Sequence, residues 1–179
     1  MGLSISDAVV KRPIEALART KEALPEKPPM VLAKAISGAS EILIGMEKIF
    51  KLIKCIYENT HTEGKEGVFL LGCGNWRLTV IGDSVILGRL DPSYFIILNT
   101  KDHTLSVKSR DLEVRIDGTS LYIIKGGSVI EISLNNVEDI EEKSMIFNAL
   151  SRYVKMMIAT TYDKLLKCVK VLGIPCEGI

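Results

Sequence analysis

From Val68 to Leu134 the chain repeats one device: a short run of alternating apolar and polar residues, a tight-turn pair, then alternation again. A period of two puts alternate side chains on one face of a strand, and each turn fixes which residues meet across it. Two-residue loops at Arg110-Asp111, Asp117-Gly118 and Gly126-Gly127 set Val107 against Val114, Val114 against Leu121, Ile123 against Ile130 and Leu121 against Ile132. Leu105, Leu112 and Ile116 join that apolar face, while Lys108 falls opposite Glu113 and Tyr122 opposite Glu131. Asp-Gly and Gly-Gly supply the positive φ that tight hairpins need.

Upstream, a loop at Gly82-Asp83 pairs Val80 with Val85 and Leu78 with Leu87, and a four-residue loop from Gly72 to Asn75 pairs Leu71 with Trp76 and Phe69 with Leu78. Tyr94 to Leu98 is apolar at every position, which predicts cover on both faces, one of them by a helix. The reading is an α+β protein: an eight-stranded antiparallel meander, curved or partly closed, flanked by long N-terminal and C-terminal helices.

Before the meander, Pro13 suits a helix's first position, where its missing N–H costs nothing, and that helix runs to about Leu24 on a stripe of Ile14, Leu17 and Leu24. Glu15 and Arg19 are spaced for an i,i+4 pair on its outer side. Pro25 ends it, and Pro25-Glu26-Lys27-Pro28-Pro29 is a stiff connector. Residues 1–29 thus form an arm, reaching over this subunit or onto another, and residues 30–179 a single helix-meander-helix domain. The second helix, Met30 to about Asn59, carries two apolar stripes, one through Ile36, Leu43, Met46, Phe50, Ile53 and Tyr57, the other through Ile42, Ile49, Leu52 and Ile56. So wide a face needs both a sheet and another helix to cover it.

After Leu134, Asn135 or Asn136 caps a third helix whose first turns hold Glu138, Asp139, Glu141 and Glu142, where the helix dipole favours negative charge. It runs to Leu172 and stops at Gly173 and Pro175. A helix of that length spans ~50 Å. Either it breaks near Ala159-Thr160-Thr161 or it projects and pairs with a second copy, which points to a homodimer.

Composition excludes more than it assigns. With 47% hydrophobic and 25% charged residues the chain is globular, and a net charge of +1 provides no long-range field for nucleic acid or an anionic membrane. No apolar run is long enough to span a bilayer and no signal-peptide pattern is present, so the expected location is cytoplasmic. Glutamine is absent while Lys, Glu and Ile abound, a composition that points to a thermophile. Cys55, Cys73, Cys168 and Cys176 lack C-x-x-C spacing; they read as buried thiols or, in a hyperthermophile, as disulfides, with Cys55 to Cys73 and Cys168 to Cys176 the nearest pairs in sequence.

Candidate chemistry is sparse. Leu70-Leu71-Gly72-Cys73-Gly74-Asn75 has the glycines of a nucleotide loop, but such loops open a helix and this one leads into another strand. The acidic group at Glu138 to Glu142 is explained by a helix start. The two histidines, His61 and His103, sit in loops, and a Cys55, His61, Cys73 metal cluster is the one histidine site the spacing allows. Met1 to Ser6 fits the loose myristoylation pattern and Cys176 stands fourth from the end as in prenylation, but Glu177 and Gly178 are not the aliphatic pair that prenylation uses. Nothing requires a cofactor or a metal.

Arg77, Arg89, Lys101, Lys108, Arg110, Arg115 and Lys125 are scattered through the strands; gathered on one sheet face they would bind nucleic acid, though interleaved acids favour a salt-bridged surface. The run from Ser120 to Ile140 looks like the closing strands of pleckstrin-homology-type barrels, and a meander followed by a long helix is similar in outline to helix-grip folds that enclose apolar ligands. Neither outline includes a second long helix before the sheet. The expected role is a non-enzymatic protein-binding or assembly module acting as a homodimer with an unidentified protein partner. The rivals are a carrier of an apolar small molecule or lipid, which requires a cavity above ~300 Å³ between sheet and helices, a nucleic-acid-binding protein, and an enzyme assembled from dispersed residues.

Overall fold

The structure is a computed structural model that describes residues 5–60, 66–90 and 93–176. Two helices, α1 (Ala8–Glu22) and α2 (Met30–Thr60), precede eight strands, and α3 (Val137–Leu172) follows them. The strands are β1 (Gly67–Leu70), β2 (Trp76–Ile81), β3 (Ser84–Leu90), β4 (Ser93–Asn99), β5 (Thr104–Ser109), β6 (Leu112–Asp117), β7 (Ser120–Lys125) and β8 (Ser128–Ser133). They form one antiparallel meander in the order β1 to β8, and the sheet is open: β1 and β8 are its edges. His61, Met1 to Ser4, Glu177 and Gly178 lie outside the described residues.

Most registers read from the turns hold. Val107 faces Val114, Ile123 faces Ile130, Leu121 faces Ile132, Val80 faces Val85, and Phe69 faces Leu78. One is corrected. The β6–β7 loop is Gly118-Thr119, so Asp117 pairs with Ser120, Val114 with Ile123 and Ile116 with Leu121. The reason is conformational. Each of the four tight turns puts its positive φ on the first loop residue, Gly82, Arg110, Gly118 and Gly126. Gly118 must therefore open its loop, not close it. The slip is two residues, so the same side chains still face the core.

All three helices cover one face of the sheet. Leu78, Val85, Leu87, Ile96, Leu105, Val107, Val114, Ile116 and Leu121 on that face meet Ile42, Met46, Ile49, Phe50 and Ile53 of α2 and Phe147, Val154 and Leu165 of α3 in one buried cluster. Both apolar stripes of α2 are buried, as so wide a face requires. β4 departs from the reading. Tyr94, Ile96 and Leu98 are buried, but Phe95 and Ile97 are half-buried. Their shelter comes from adjacent strands, since no described helix lies on that face.

α1 begins at Ala8, so Pro13 is internal and not the first residue. Val9 and Val10 are buried in the core, and extending the helix upstream to bury them outweighs the hydrogen bond that Pro13 cannot make. The arm docks on its own subunit, antiparallel to α2. The Lys54 ammonium donates to Asp7 at 3.4 Å, Lys21 donates to Ser40 at 2.9 Å, and the buried Thr20 hydroxyl donates to the Leu134 carbonyl at 2.6 Å.

α3 is neither broken nor projecting. It is capped by Asn136, ends on the left-handed Gly173, and runs unbroken beside α2 in the same direction. Asn148 donates to the Val31 carbonyl, Lys155 pairs with Glu41 at 2.9 Å, and the Lys48 ammonium sits over the Tyr162 ring. Thr161, the β-branched residue expected to weaken it, is fully buried and its hydroxyl donates to the Met157 carbonyl at 2.7 Å. The length that suggested a break or a second copy is accommodated by α2, which runs alongside α3. Among the described residues no helix is long and apolar enough to cross a membrane.

Candidate functional site

The uncovered face of the sheet has two halves. Over β1 to β4 it carries Val68, Leu70, Ile81, Ile86, Phe95 and Ile97; Leu70 is 77% exposed, Val68 61% and Ile81 57%. Over β5 to β8 it is mostly polar, with Ile124 and the 61% exposed Val129 its apolar residues near the β7–β8 turn. Arg115 pairs with Glu113 at 3.0 Å and lies over the Tyr122 ring, and the Tyr122 hydroxyl donates to Glu131 at 3.0 Å. That hydrogen bond to a carboxylate, then burial, raises the Tyr122 pKa.

The two edges are treated oppositely. In the β7–β8 ladder the Leu134 N–H donates to Thr119, so Glu131 and Ser133 point their backbone groups outward. One backbone group of each is bonded by a side chain from the first turns of α3. The Ser133 N–H donates to the Asp139 carboxylate at 2.7 Å, and Lys143, itself paired with Asp139 at 2.9 Å, donates to the Glu131 carbonyl. At the other edge the Leu71 N–H donates to Trp76, which turns the backbone groups of Val68 and Leu70 outward. No described strand pairs with them, and their side chains are among the most exposed apolar ones.

Asp139 is the one member of the acidic group with a specific task. The Ser133 N–H first, then Lys143, hold its carboxyl below the usual carboxylate value against the opposing effect of burial. A depressed pKa contributes stability above the unfolded value of about 3.9, lost as pH falls through the folded value. We expect Asp139→Asn to cost about 1–2 kcal/mol at neutral pH and to flatten the acid limb of stability below about pH 4. Urea midpoints from neutral to acid pH check this; parallel curves for the two proteins would refute it.

The seven basic residues do not share a face. Arg77, Lys108 and Arg115 stand on the uncovered face, while Arg89, Arg110 and Lys125 lie along the rim where α3 crosses the strand ends, with Lys125 over the Tyr153 ring. Lys101 is in the β4–β5 turn at the opposite end. The cysteines pair across the fold, Cys55 with Cys176 and Cys73 with Cys168, with Cα separations of 5.9 and 5.2 Å. Neither pair is the nearest in sequence, because the parallel course of α2 and α3 brings Cys55 beside Cys176, and the β1–β2 loop reaches the last turns of α3. Among the described residues no group of three His, Cys, Asp or Glu side chains is arranged for a metal.

Three cavities matter. One, about 380 Å³, is a surface groove between α2 and α3 lined by Ile44, Lys48, Lys155 and Tyr162. A second of about 370 Å³ opens between the β5–β6 turn and Tyr153 and Met156 of α3. Buried apolar side chains of both pack together between the sheet and α2. The third, about 270 Å³, lies where the start of β2 and the end of β3 meet α3, with Trp76, Arg89, Lys164 and Lys167 on its walls. Sequence reading missed Lys164 and Lys167. Their spacing of three with Cys168 adjoining marks one helix face, but only the Cys73–Cys168 contact shows what that face meets.

Comparison of the chain with protein-family models, with curated proteins and with solved structures gives no match in any of the three.

Proposed function

We propose that this protein is an assembly module that forms a two-fold homodimer by joining β1 to β1 of a second copy, antiparallel, so that two meanders become one continuous sheet. The observation that carries this reading is the contrast between the edges. On β8 the Ser133 N–H and the Glu131 carbonyl are occupied by charged side chains of α3, whereas β1 presents outward backbone groups beside exposed Val68 and Leu70. Charged plugs are how sheets refuse further strands, and an apolar open edge invites one.

The plug also selects the partner geometry. Joining β1 to β8 of the next molecule would propagate a filament, and Asp139 and Lys143 block it. β1 against itself closes after two copies. The same contact sets the apolar half of one outer face next to that of its partner, with the Glu113, Arg115 and Glu131 region far from the axis. A four-residue edge buries less than the ~800 Å² per partner of a standard interface, so the association is expected to be concentration-dependent.

Sedimentation velocity over a concentration series tests the reading. The expected result is a dimer at tens of micromolar that Leu70→Lys shifts to monomer with an unchanged circular dichroism spectrum, since Leu70 is exposed. A wild-type monomer throughout, or a Leu70→Lys protein that dimerises equally, would refute it.

A further inference from the structure

We propose that the Cys55–Cys176 bridge is a thiol-exchange site, opened by a low-molecular-weight thiol to release the strap that follows α3, while Cys73–Cys168 stays closed and holds the fold. The two bridges differ in what surrounds them. Cys73 is 5% exposed and Cys168 3%, and both belong to the buried core cluster. Cys55 and Cys176 are each half-buried, and the neighbours of the Cys55 sulfur include the exposed Asn59 and Pro175. Exchange requires a thiolate to reach and attack a bridge sulfur, so access decides which bridge reacts.

The strap is built to come away. α3 ends on the left-handed Gly173, and the Gly173 and Ile174 N–H groups donate back to the Lys170 and Val169 carbonyls of α3 itself. The Cys176 N–H donates to the Ile174 carbonyl within the strap. None of these bonds reaches α2. The bridge, with Cα atoms 5.9 Å apart, ties the strap to α2, and Ile174 and Cys176 add partial burial against the core. Breaking it frees residues 174–176 from α2 without unmaking α3 or any strand, whereas Cys73–Cys168 pins the β1–β2 loop inside the core.

Asn59 gives the exchange a direction. One turn beyond Cys55 in α2, its amide donates to the Cys55 carbonyl at 2.8 Å and to the Cys55 sulfur at 3.5 Å. A better-stabilised thiolate is the better leaving group, so the external thiolate attacks Sγ of Cys176 and forms a mixed disulfide there. The electron pair of the broken S–S bond goes to Cys55, whose thiolate then takes a proton from water. The Pro175 carbonyl, 4.0 Å from that sulfur, leaves with the strap. A second thiol attacks the adduct, frees Cys176 as a thiol and departs as the disulfide of the two external thiols, so two thiols are oxidised for one bridge reduced.

The experiment incubates the oxidised full-length protein with rising concentrations of glutathione under native conditions, blocks free thiols with iodoacetamide, and reads intact mass and mapped peptides. The expected first product carries glutathione on Cys176 and an alkylated Cys55, followed by a form alkylated at both, with Cys73 and Cys168 still bridged until denaturant is added. The circular dichroism spectrum should stay that of the oxidised protein, and amide deuterium exchange should quicken at Ile174 and Cys176 but not in the body of α3. Asn59→Ala, at an exposed position, should keep the same spectrum and slow opening about threefold, the loss of one weak hydrogen bond to a charged sulfur. An adduct on Cys55, or an unchanged rate in Asn59→Ala, would overturn the assigned direction. Opening of Cys73–Cys168 first, of both bridges together, or loss of the folded spectrum with the first bridge would overturn the exchange site itself.

Discussion

Removing both cystine bridges together is expected to destabilise the protein by about 8 kcal/mol, more than twice the cost of removing either alone, if chain entropy governs their effect. The bridges are nested: Cys73–Cys168 spans 95 residues inside the 121 spanned by Cys55–Cys176. With the inner bond closed, the outer one has only the segments 55–73 and 168–176 left to constrain, so its loss costs about 3.5 kcal/mol by the loop-closure relation. Losing the inner bond while the outer remains costs about as much, by the same relation. The second removal, which frees the whole loop, then costs about 5 kcal/mol. Guanidinium unfolding of Cys55→Ala/Cys176→Ala, Cys73→Ala/Cys168→Ala and the fourfold variant checks this. Simple additivity would contradict it, as would free thiols found by alkylation of the native protein.

The second large effect is steric. α2 and α3 approach closely at Gly45, where an added Cβ would stand 2.6 Å from Cγ2 of Ile158. Ile158 is 4% exposed and its β-branched side chain is held in one rotamer by its own helix, so it cannot swing aside. Alanine in a helix gains about 1 kcal/mol over glycine from propensity, but here the helices must separate. We expect Gly45→Ala to cost a net 1–2 kcal/mol or so, and Gly45→Leu about 3 kcal/mol or more, as overpacked interfaces do. Gly38 is the internal comparison. Its Cβ would meet Cε1 of Phe147 at 3.3 Å and Oγ of Ser151 at 3.5 Å, so Gly38→Ala should fall within about 1 kcal/mol of neutral, propensity offsetting contact. In an Ile158→Ala background, which removes Cγ2, Gly45→Ala should turn stabilising. A double-mutant cycle on thermal or urea unfolding gives the coupling; a value near zero would remove the close-approach explanation.

Local pattern alone determined the meander, its two faces and the helices on either side of it. Alternation has a period of two and turns are punctuated by residues that tolerate positive φ, so Val107 opposite Val114 and Leu121 opposite Ile132 follow from the chain itself. Even the misplaced β6–β7 loop was recoverable, because glycine opens its loop at Gly82 and Gly126 and should do so at Gly118. Glycines one heptad apart at Gly38 and Gly45 were likewise a readable sign of a close helix crossing.

What only the tertiary structure decided depends on contacts between residues far apart in sequence. α2 and α3 run parallel, which accommodates the length of α3 and sets Cys55 beside Cys176. Asp139 reads as a helix-start carboxylate until Ser133 is seen donating to it across the strand-helix turn. Arg89, Lys164 and Lys167 are unrelated basic residues until α3 crosses the strand ends above Trp76. A period describes how a segment divides its own surface between inside and outside; it carries no information about which other segment will meet that surface, and the sites of this protein lie where such segments meet.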